Sequence, residues 1–153
     1  MCSSDLRKPK NCGRRSAMAD TLSLEVATPE RALVREQVSD VQVPGKEGYM
    51  GILPGHAPLL GLLGIGTLAY VSVADGKKRY LSIHEGFVEV LEDHVRVLAD
   101  AAERAEEIDM QRARVALERA QEEGLNPALG VDPGSALLAM ARAQARIATA
   151  ELK

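Results

Sequence analysis

The chain has 153 residues, 46% hydrophobic and 27% charged, a balance that fits one average globular domain or two small ones and excludes pervasive disorder, collagen and a disulfide scaffold. Its four aromatic residues, Tyr49, Tyr70, Tyr80 and Phe87, leave an aliphatic core and no row of rings for bases to stack on, so nucleic acid is not an expected partner. The net charge of −3 divides unevenly: residues 1–17 carry +4, leaving −7 on residues 18–153 with no basic patch.

Residues 1–17 show no hydrophobic periodicity and no apolar stretch that would serve as a secretory signal. They read as a non-native or disordered leader, with Met18-Ala19-Asp20 as a natural start and a basic organelle-targeting leader as the alternative. Both cysteines, Cys2 and Cys12, lie there, so residues 18–153 hold no thiol, disulfide or cysteine metal site.

Short β-type runs at 21–27, 31–36, 38–43, 49–53, 67–74, 78–84, 87–91 and 94–98 are separated by turn residues, the pattern of a sandwich or barrel with largely antiparallel pairing. Asp75-Gly76 and Glu92-Asp93 mark tight reversals. The 18 uncharged residues 57–74 touch the lower length of a membrane span. Pro58, Gly61, Gly64 and Gly66 break that segment, and Leu68, Tyr70 and Ser72 alternate with Ala69, Val71 and Val73 as in a strand. No transmembrane segment is expected.

At Asp100 the composition changes to Ala, Glu, Arg and Gln. Asp100-Ala101-Ala102-Glu103 has the spacing of a capping box, which predicts a helix starting there and stopping at Gly124 and Asn126-Pro127. Ile108, Met110, Ala113, Leu117 and Ala120 form its apolar stripe. A second helix is predicted from about Ser135 after Asp132-Pro133, with Leu138, Ala141, Ala145, Ala148 and Leu152 as its stripe. The two read as an antiparallel αα-hairpin held weakly, because alanines bury little apolar area.

Chemistry-bearing patterns are sparse. Gly64-Ile65-Gly66 lacks the lysine and following helix of a phosphate cradle. His56, His84 and His94 have no partner at metal-ligand spacing, and no metal site is expected. Ser82, His84 and Glu85 include the residue types of a hydrolase triad, but adjacent strand residues point to opposite faces, so no catalytic residue is expected. Glu103, Glu106 and Glu107 complement the dipole of a helix starting at Asp100.

The segment Gly51-Ile52-Leu53-Pro54-Gly55-His56-Ala57-Pro58-Leu59-Leu60, with the β region closing at Val97-Leu98-Ala99-Asp100 and the acidic, Arg-containing hairpin, resembles the epsilon subunit of the F-type ATP synthase over about residues 20–153. The resemblance implies an N-terminal antiparallel two-sheet β-sandwich of about ten strands in residues 18–100 and a regulatory helical hairpin in residues 101–153. It implies a rotor subunit without chemistry of its own, bound to the gamma subunit and the c-ring, with the hairpin extending to the catalytic alpha/beta head to restrain ATP hydrolysis. The location implied is the cytoplasmic face of a bacterial plasma membrane, as a peripheral protein, with an organellar inner membrane as the alternative. Tyr49, His56, Ala57 and Leu60 fall at the family's c-ring contact.

Ile108-Asp109-Met110-Gln111-Arg112-Ala113 is similar to the pattern with which some members bind ATP as a regulatory ligand, with Arg142 and Arg146 as partners and Glu103 as a further candidate; no cofactor is required. Arg142 and Arg146 are four apart, where two guanidiniums converge on phosphate oxygens. Arg112, Arg142 and Arg146 serve equally as surface ion-pair partners of Glu118, Glu122 and Glu151. The alternative from another class is a non-catalytic β-sandwich adaptor whose hairpin is a static dimerisation arm.

Overall fold

The computed structural model describes residues 21–126, 128 and 130–153. The leader, the Met18 start and Pro127 of the expected helix stop lie outside the described residues. Six strands are followed by two helices: β1 (Leu22–Ala27), β2 (Ala32–Gly45), β3 (Gly48–Ile52), β4 (Leu59–Ser72), β5 (Lys78–Val90), β6 (His94–Arg104), α1 (Met110–Leu125) and α2 (Pro133–Ala150).

The strands form one sheet in the order β1-β6-β5-β4-β2-β3, which closes on itself because β1 also pairs with β2. Strand β2 uses Ala32–Val38 against β1 and its second half against β3 and β4, so one strand serves both sides of the core. The expected two sheets of about ten strands are therefore replaced, among the described residues, by six strands in one closed sheet, most of them longer than the short runs predicted. Runs 31–36 and 38–43 join as β2, runs 78–84 and 87–91 join as β5, and β4 extends back through the glycines to Leu59. The pairings are antiparallel apart from β1 with β6, which is parallel from Ser23↔His94 to Ala27↔Leu98. That exception follows from closure, which sets the first strand beside the last instead of beside its hairpin neighbour alone.

Alternation builds the core: Leu22, Leu24 and Val26 of β1 stand beside Val95, Val97 and Ala99 of β6 on the inner face of the sheet, around an aliphatic interior. In β5 the phase reverses, with Leu81 and Ile83 inward on one side and Val88 and Val90 inward on the other. Between them stand Glu85 at φ 59 and Gly86 at φ 124, two positive-φ residues that turn the strand over. A Cβ on Gly86 would lie 2.1 Å from the Leu98 carbonyl oxygen, so only glycine fits there.

A polar cluster ties β2, β4 and β5 together. The Glu36 carboxylate accepts from Tyr70 OH and Ser72 Oγ, each at 2.6 Å, and from Arg79 Nη1 at 2.9 Å. Burial pushes the Glu36 pKa up, but the two hydroxyls and Arg79 outweigh it and hold the carboxyl below its usual value. Burial and the same carboxylate push the Tyr70 hydroxyl up to about 12.

The first helix starts later than the composition change suggests. Strand β6 continues through Asp100 to Arg104, a single 3-10 turn follows at Ala105–Glu107, and Asp109 caps α1 by accepting from Arg112 N at 3.0 Å. Pairing with β5, through Leu81↔Arg104 and Ser82↔Glu103, overrides the capping-box spacing at Asp100. Asp132 caps α2 as expected, accepting from Ser135 N at 2.9 Å. Of the predicted α2 stripe Ala145 is buried and Ala141 half-buried, but Leu138, Ala148 and Leu152 are exposed; the buried face is rotated to Ala136, Ala143, Ala145, Thr149 and Ala150. That rotation arises because α2 packs on two neighbours at once, α1 and the sheet.

Candidate functional site

Three surfaces follow from this architecture. The first is a cleft of about 200 Å³ where the start of α1, the end of β6 and α2 meet. Glu103, Asp109, Arg112, Ala113 and Arg146 line it, together with Glu107, which the sequence offered only as a helix-dipole acid, and Ala116, which it did not single out. Ile108 is buried just before the cap and anchors the turn. Ala113 is buried and its small side chain leaves the cleft open. Arg146 Nε donates to Glu103 Oε1 at 2.7 Å, and Glu107 is held from outside by Arg31 at 2.7 Å.

Arg142 is not brought into this cleft. It shares the sheet-facing side of α2 with Arg146, but its Nη2 donates to Glu85 Oε2 at 3.1 Å. The partners expected along the hairpin, Glu118, Glu122 and Glu151, are not those that Arg142 and Arg146 take. Two carboxylates on the sheet, Glu85 and Glu103, instead fasten α2 at two points.

Between those two ion pairs lies His84, buried under α2, with Nε2 3.1 Å from Ser82 Oγ. Ser82 and His84, two apart on one strand, do meet, contrary to the expectation that these side chains diverge. Glu85 turns instead to Arg142, and the Ser82–His84 pair is fully covered. Burial, reinforced by Arg146, lowers the His84 pKa to about 4. His56 is placed by its own turn, Nδ1 lying 2.8 Å from the Ala57 carbonyl oxygen, and His94 Nδ1 is 3.0 Å from Asp93 Oδ1. Among the described residues no group of His, Cys, Asp and Glu has the arrangement to hold a metal ion.

The second surface surrounds the β2–β3 turn. Tyr49 and Leu60 line one hollow with Met50 and Leu62, and both are exposed, Leu60 by 72%. Tyr49 is fixed by its hydroxyl, which accepts from Thr67 N at 3.2 Å. His56 and Ala57 stand on the loop joining β3 to β4.

The third surface was not legible in the sequence. Leu62, Phe87 and Leu98 are cross-strand partners on β4, β5 and β6, exposed by 51%, 52% and 50%. Each reads as a core residue by type. The phase reversal at Glu85-Gly86 puts this row outside, and the Glu-Gly pair in mid-strand was the available signal.

A closed β-sandwich with a helical hairpin docked on its outer face defines a two-part protein, a sheet body with a helical arm. Residues 21–105 match the family model described as ATP synthase, Delta/Epsilon chain, beta-sandwich domain. An ATP synthase epsilon chain of Solibacter usitatus is 72% identical over 136 residues, covering 89% of this chain and all of that protein. Those of Carboxydothermus hydrogenoformans and Nitratidesulfovibrio vulgaris (strain DP4) are 53% and 44% identical, over 69% and 85% of this chain and 77% and 96% of theirs. A chain of the Euglena gracilis mitochondrial ATP synthase, in an OSCP/F1/c-ring assembly, superposes with a TM-score of 0.77 at 25% identity, covering 96% of this chain and 91% of that one. The chain belongs to the ATP synthase epsilon chain family, and as such is a subunit of the synthase other than the catalytic one.

Proposed function

We propose that this chain is a rotor subunit of the central stalk, joining the gamma subunit to the c-ring, and that its hairpin is a reversible arm whose packed form is held by ATP. The observation that carries the reading is the cleft containing Glu103, Asp109, Arg112, Ala113 and Arg146. Its walls come from both helices and the sandwich, so it is complete only while the hairpin is packed. Arg112 and Arg146 supply guanidiniums for phosphate oxygens, and Asp109 supplies an acceptor for an adenine amine. Arg146 must exchange Glu103 for phosphate, and Arg142 must leave Glu85 to join it.

A ligand that binds the packed form alone stabilises it by RT ln(1 + [ATP]/Kd), about 2.7 kcal/mol at 100-fold saturation. Weak docking through alanines and two partly exposed ion pairs is the kind of equilibrium that such a bias reverses. Released, the arm extends towards the alpha/beta head and blocks hydrolysis. Tyr49, His56, Ala57 and Leu60 form the c-ring surface in this reading, and the Leu62–Phe87–Leu98 row takes gamma. No helix among the described residues is long and apolar enough to cross a membrane. In this reading the contacts with gamma and the c-ring hold the subunit as a peripheral protein on the cytoplasmic face of a bacterial plasma membrane.

Isothermal titration of ATP into the full chain tests the nucleotide reading. Saturable 1:1 binding, lost in Arg146→Ala and weakened in Arg142→Ala, is expected. Absence of binding at millimolar ATP would remove ATP from the reading and leave the hairpin governed by its protein contacts alone.

A further inference from the structure

The face of the sheet beneath α2 buries one titratable ring. His84 is 3% exposed and lies on the side of β5 opposite to Leu81 and Ile83, so its burial is owed to α2 and not to the sandwich core. Four charged side chains face it: Arg142 and Arg146 from α2, Glu103 from β6 and Glu85 from its own strand. Strand β4 adds uncharged Ile65 opposite His84 and Thr67 opposite Ser82.

The four charges are already matched, Arg146 with Glu103 at 2.7 Å and Arg142 with Glu85 at 3.1 Å. Neither carboxylate is free to receive an imidazolium, and Ser82 Oγ offers only a neutral partner. Protonation would put a cation without a free counter-ion on a ring that α2 covers, where burial is the largest cost and the two carboxylates offset the two guanidiniums only in part. Releasing α2 removes both guanidiniums and hydrates the ring in one step.

We infer that His84 is a proton-sensitive latch: the neutral imidazole permits α2 to lie on the sheet, and the imidazolium drives the hairpin off it. The inference rests on the reading of the hairpin as a reversible arm. In the packed form, burial and then Arg146 hold the ring at a pKa of about 4. In the released form it returns to its ordinary value near 6.5. The packed state binds the proton more weakly, so its advantage is complete above about 6.5 and declines as pH falls towards 4. Between pH 7.5 and 5.5 the ratio of released to packed hairpin rises about tenfold by this linkage.

The test uses the full chain with Cys2→Ser and Cys12→Ser and a donor–acceptor dye pair on Glu47→Cys and Leu125→Cys, two exposed positions. Energy transfer is followed from pH 7.5 to 5.5 without nucleotide. The expected result is a tenfold rise in the released fraction relative to the packed one, abolished by His84→Gln, which keeps a hydrogen-bonding group beside Ser82 but takes no proton. A parallel response in both proteins, or none in either while Arg142→Gln/Arg146→Gln releases the hairpin at every pH, overturns the latch and spares the mobile arm. A hairpin that stays packed even in that double variant overturns both. Should His84→Gln fold poorly, NMR titration of the His84 ring in the otherwise unchanged chain decides: midpoint and hairpin release must move together, and a ring that titrates near 6.5 with the hairpin packed sinks the proposal.

Discussion

Thr67 Oγ1 on β4 and Thr149 Oγ1 on α2 lie 2.7 Å apart, a hydroxyl–hydroxyl contact across the joint between sandwich and hairpin. Thr149 spends its proton on the Ala145 carbonyl oxygen at 2.7 Å, so Thr67 is the donor. The neighbouring backbone N–H of Thr67 donates to Tyr49 OH, which puts the proposed c-ring surface and the hairpin joint on one residue.

Replacing Thr149 with Val keeps shape but leaves the Thr67 hydroxyl without its acceptor. Docking should weaken by about 1 kcal/mol, read as lower amide-exchange protection in α2. The double variant Thr67→Val/Thr149→Val removes both polar groups and should recover most of that loss. Equal losses in single and double variants would mean that the stranded Thr67 hydroxyl carries no penalty of its own.

Strand β5 depends on two positive-φ residues, and Gly86 is the sharper test. Gly86→Ala combines φ 124 with a Cβ driven against the Leu98 carbonyl, and should cost about 3 kcal/mol or more in urea denaturation. Gly76→Ala, at φ 66 with open space around the new Cβ, should cost only about 1 kcal/mol.

The Glu36 cluster gives the sandwich an acid-sensitive component. Its carboxyl is held below the ordinary value, so its stabilising contribution is present above the usual carboxylate range and disappears as pH falls through the lower folded value. Glu36→Gln should lose about 1–3 kcal/mol at pH 7, because the Arg79 ion pair is gone and the two hydroxyls meet a weaker acceptor. Denaturation midpoints of variant and parent should converge as pH falls through that lowered value.

Local chemistry was legible wherever neighbours in sequence decide the structure. The Asp75-Gly76 turn, the Asp132 cap of α2 and the Ile108–Ala120 stripe of α1 follow from spacing alone. What was not legible depends on distant pairing. The capping spacing at Asp100 is real, but the ladder from β5 holds that segment extended to Arg104, and the cap passes to Asp109. The stripe of α2 was misread for a related reason: a helix of alanines gives no size contrast, so only its two neighbours reveal which alanines are covered. Five of the seven residues proposed for ATP line one cleft between α1, β6 and α2, and a sixth, Ile108, anchors its neighbouring turn. Arg142 was drawn away by Glu85, whose left-handed backbone no periodicity shows.

Asp109 carries two roles that substitution can separate. As the cap of α1 it accepts from Arg112 N, and as a cleft residue it offers charge to a ligand. Asparagine caps as well as aspartate, so Asp109→Asn should leave thermal stability within about 0.5 kcal/mol, whereas Asp109→Ala should lose about 1 kcal/mol. Weaker ATP binding in both variants would assign the carboxylate to the ligand; weakening in the alanine variant alone would assign it to the helix.

The Leu62–Phe87–Leu98 row is exposed apolar surface that the fold does not need, and that gives it a clean test. Phe87→Glu removes little packing, since the side chain is half exposed, and should change stability by less than about 0.5 kcal/mol. At an interface with gamma the same change would bury an unpaired charge, so copurification of gamma with the chain should be lost. Glu89, one strand pair away in the ion-paired set with Arg96 and Glu25, supplies the control: Glu89→Gln changes charge on the same face without touching the row, and should leave gamma bound. Loss in both variants would point to charge instead of the apolar row, and loss in neither would move the gamma contact to another face of the sandwich.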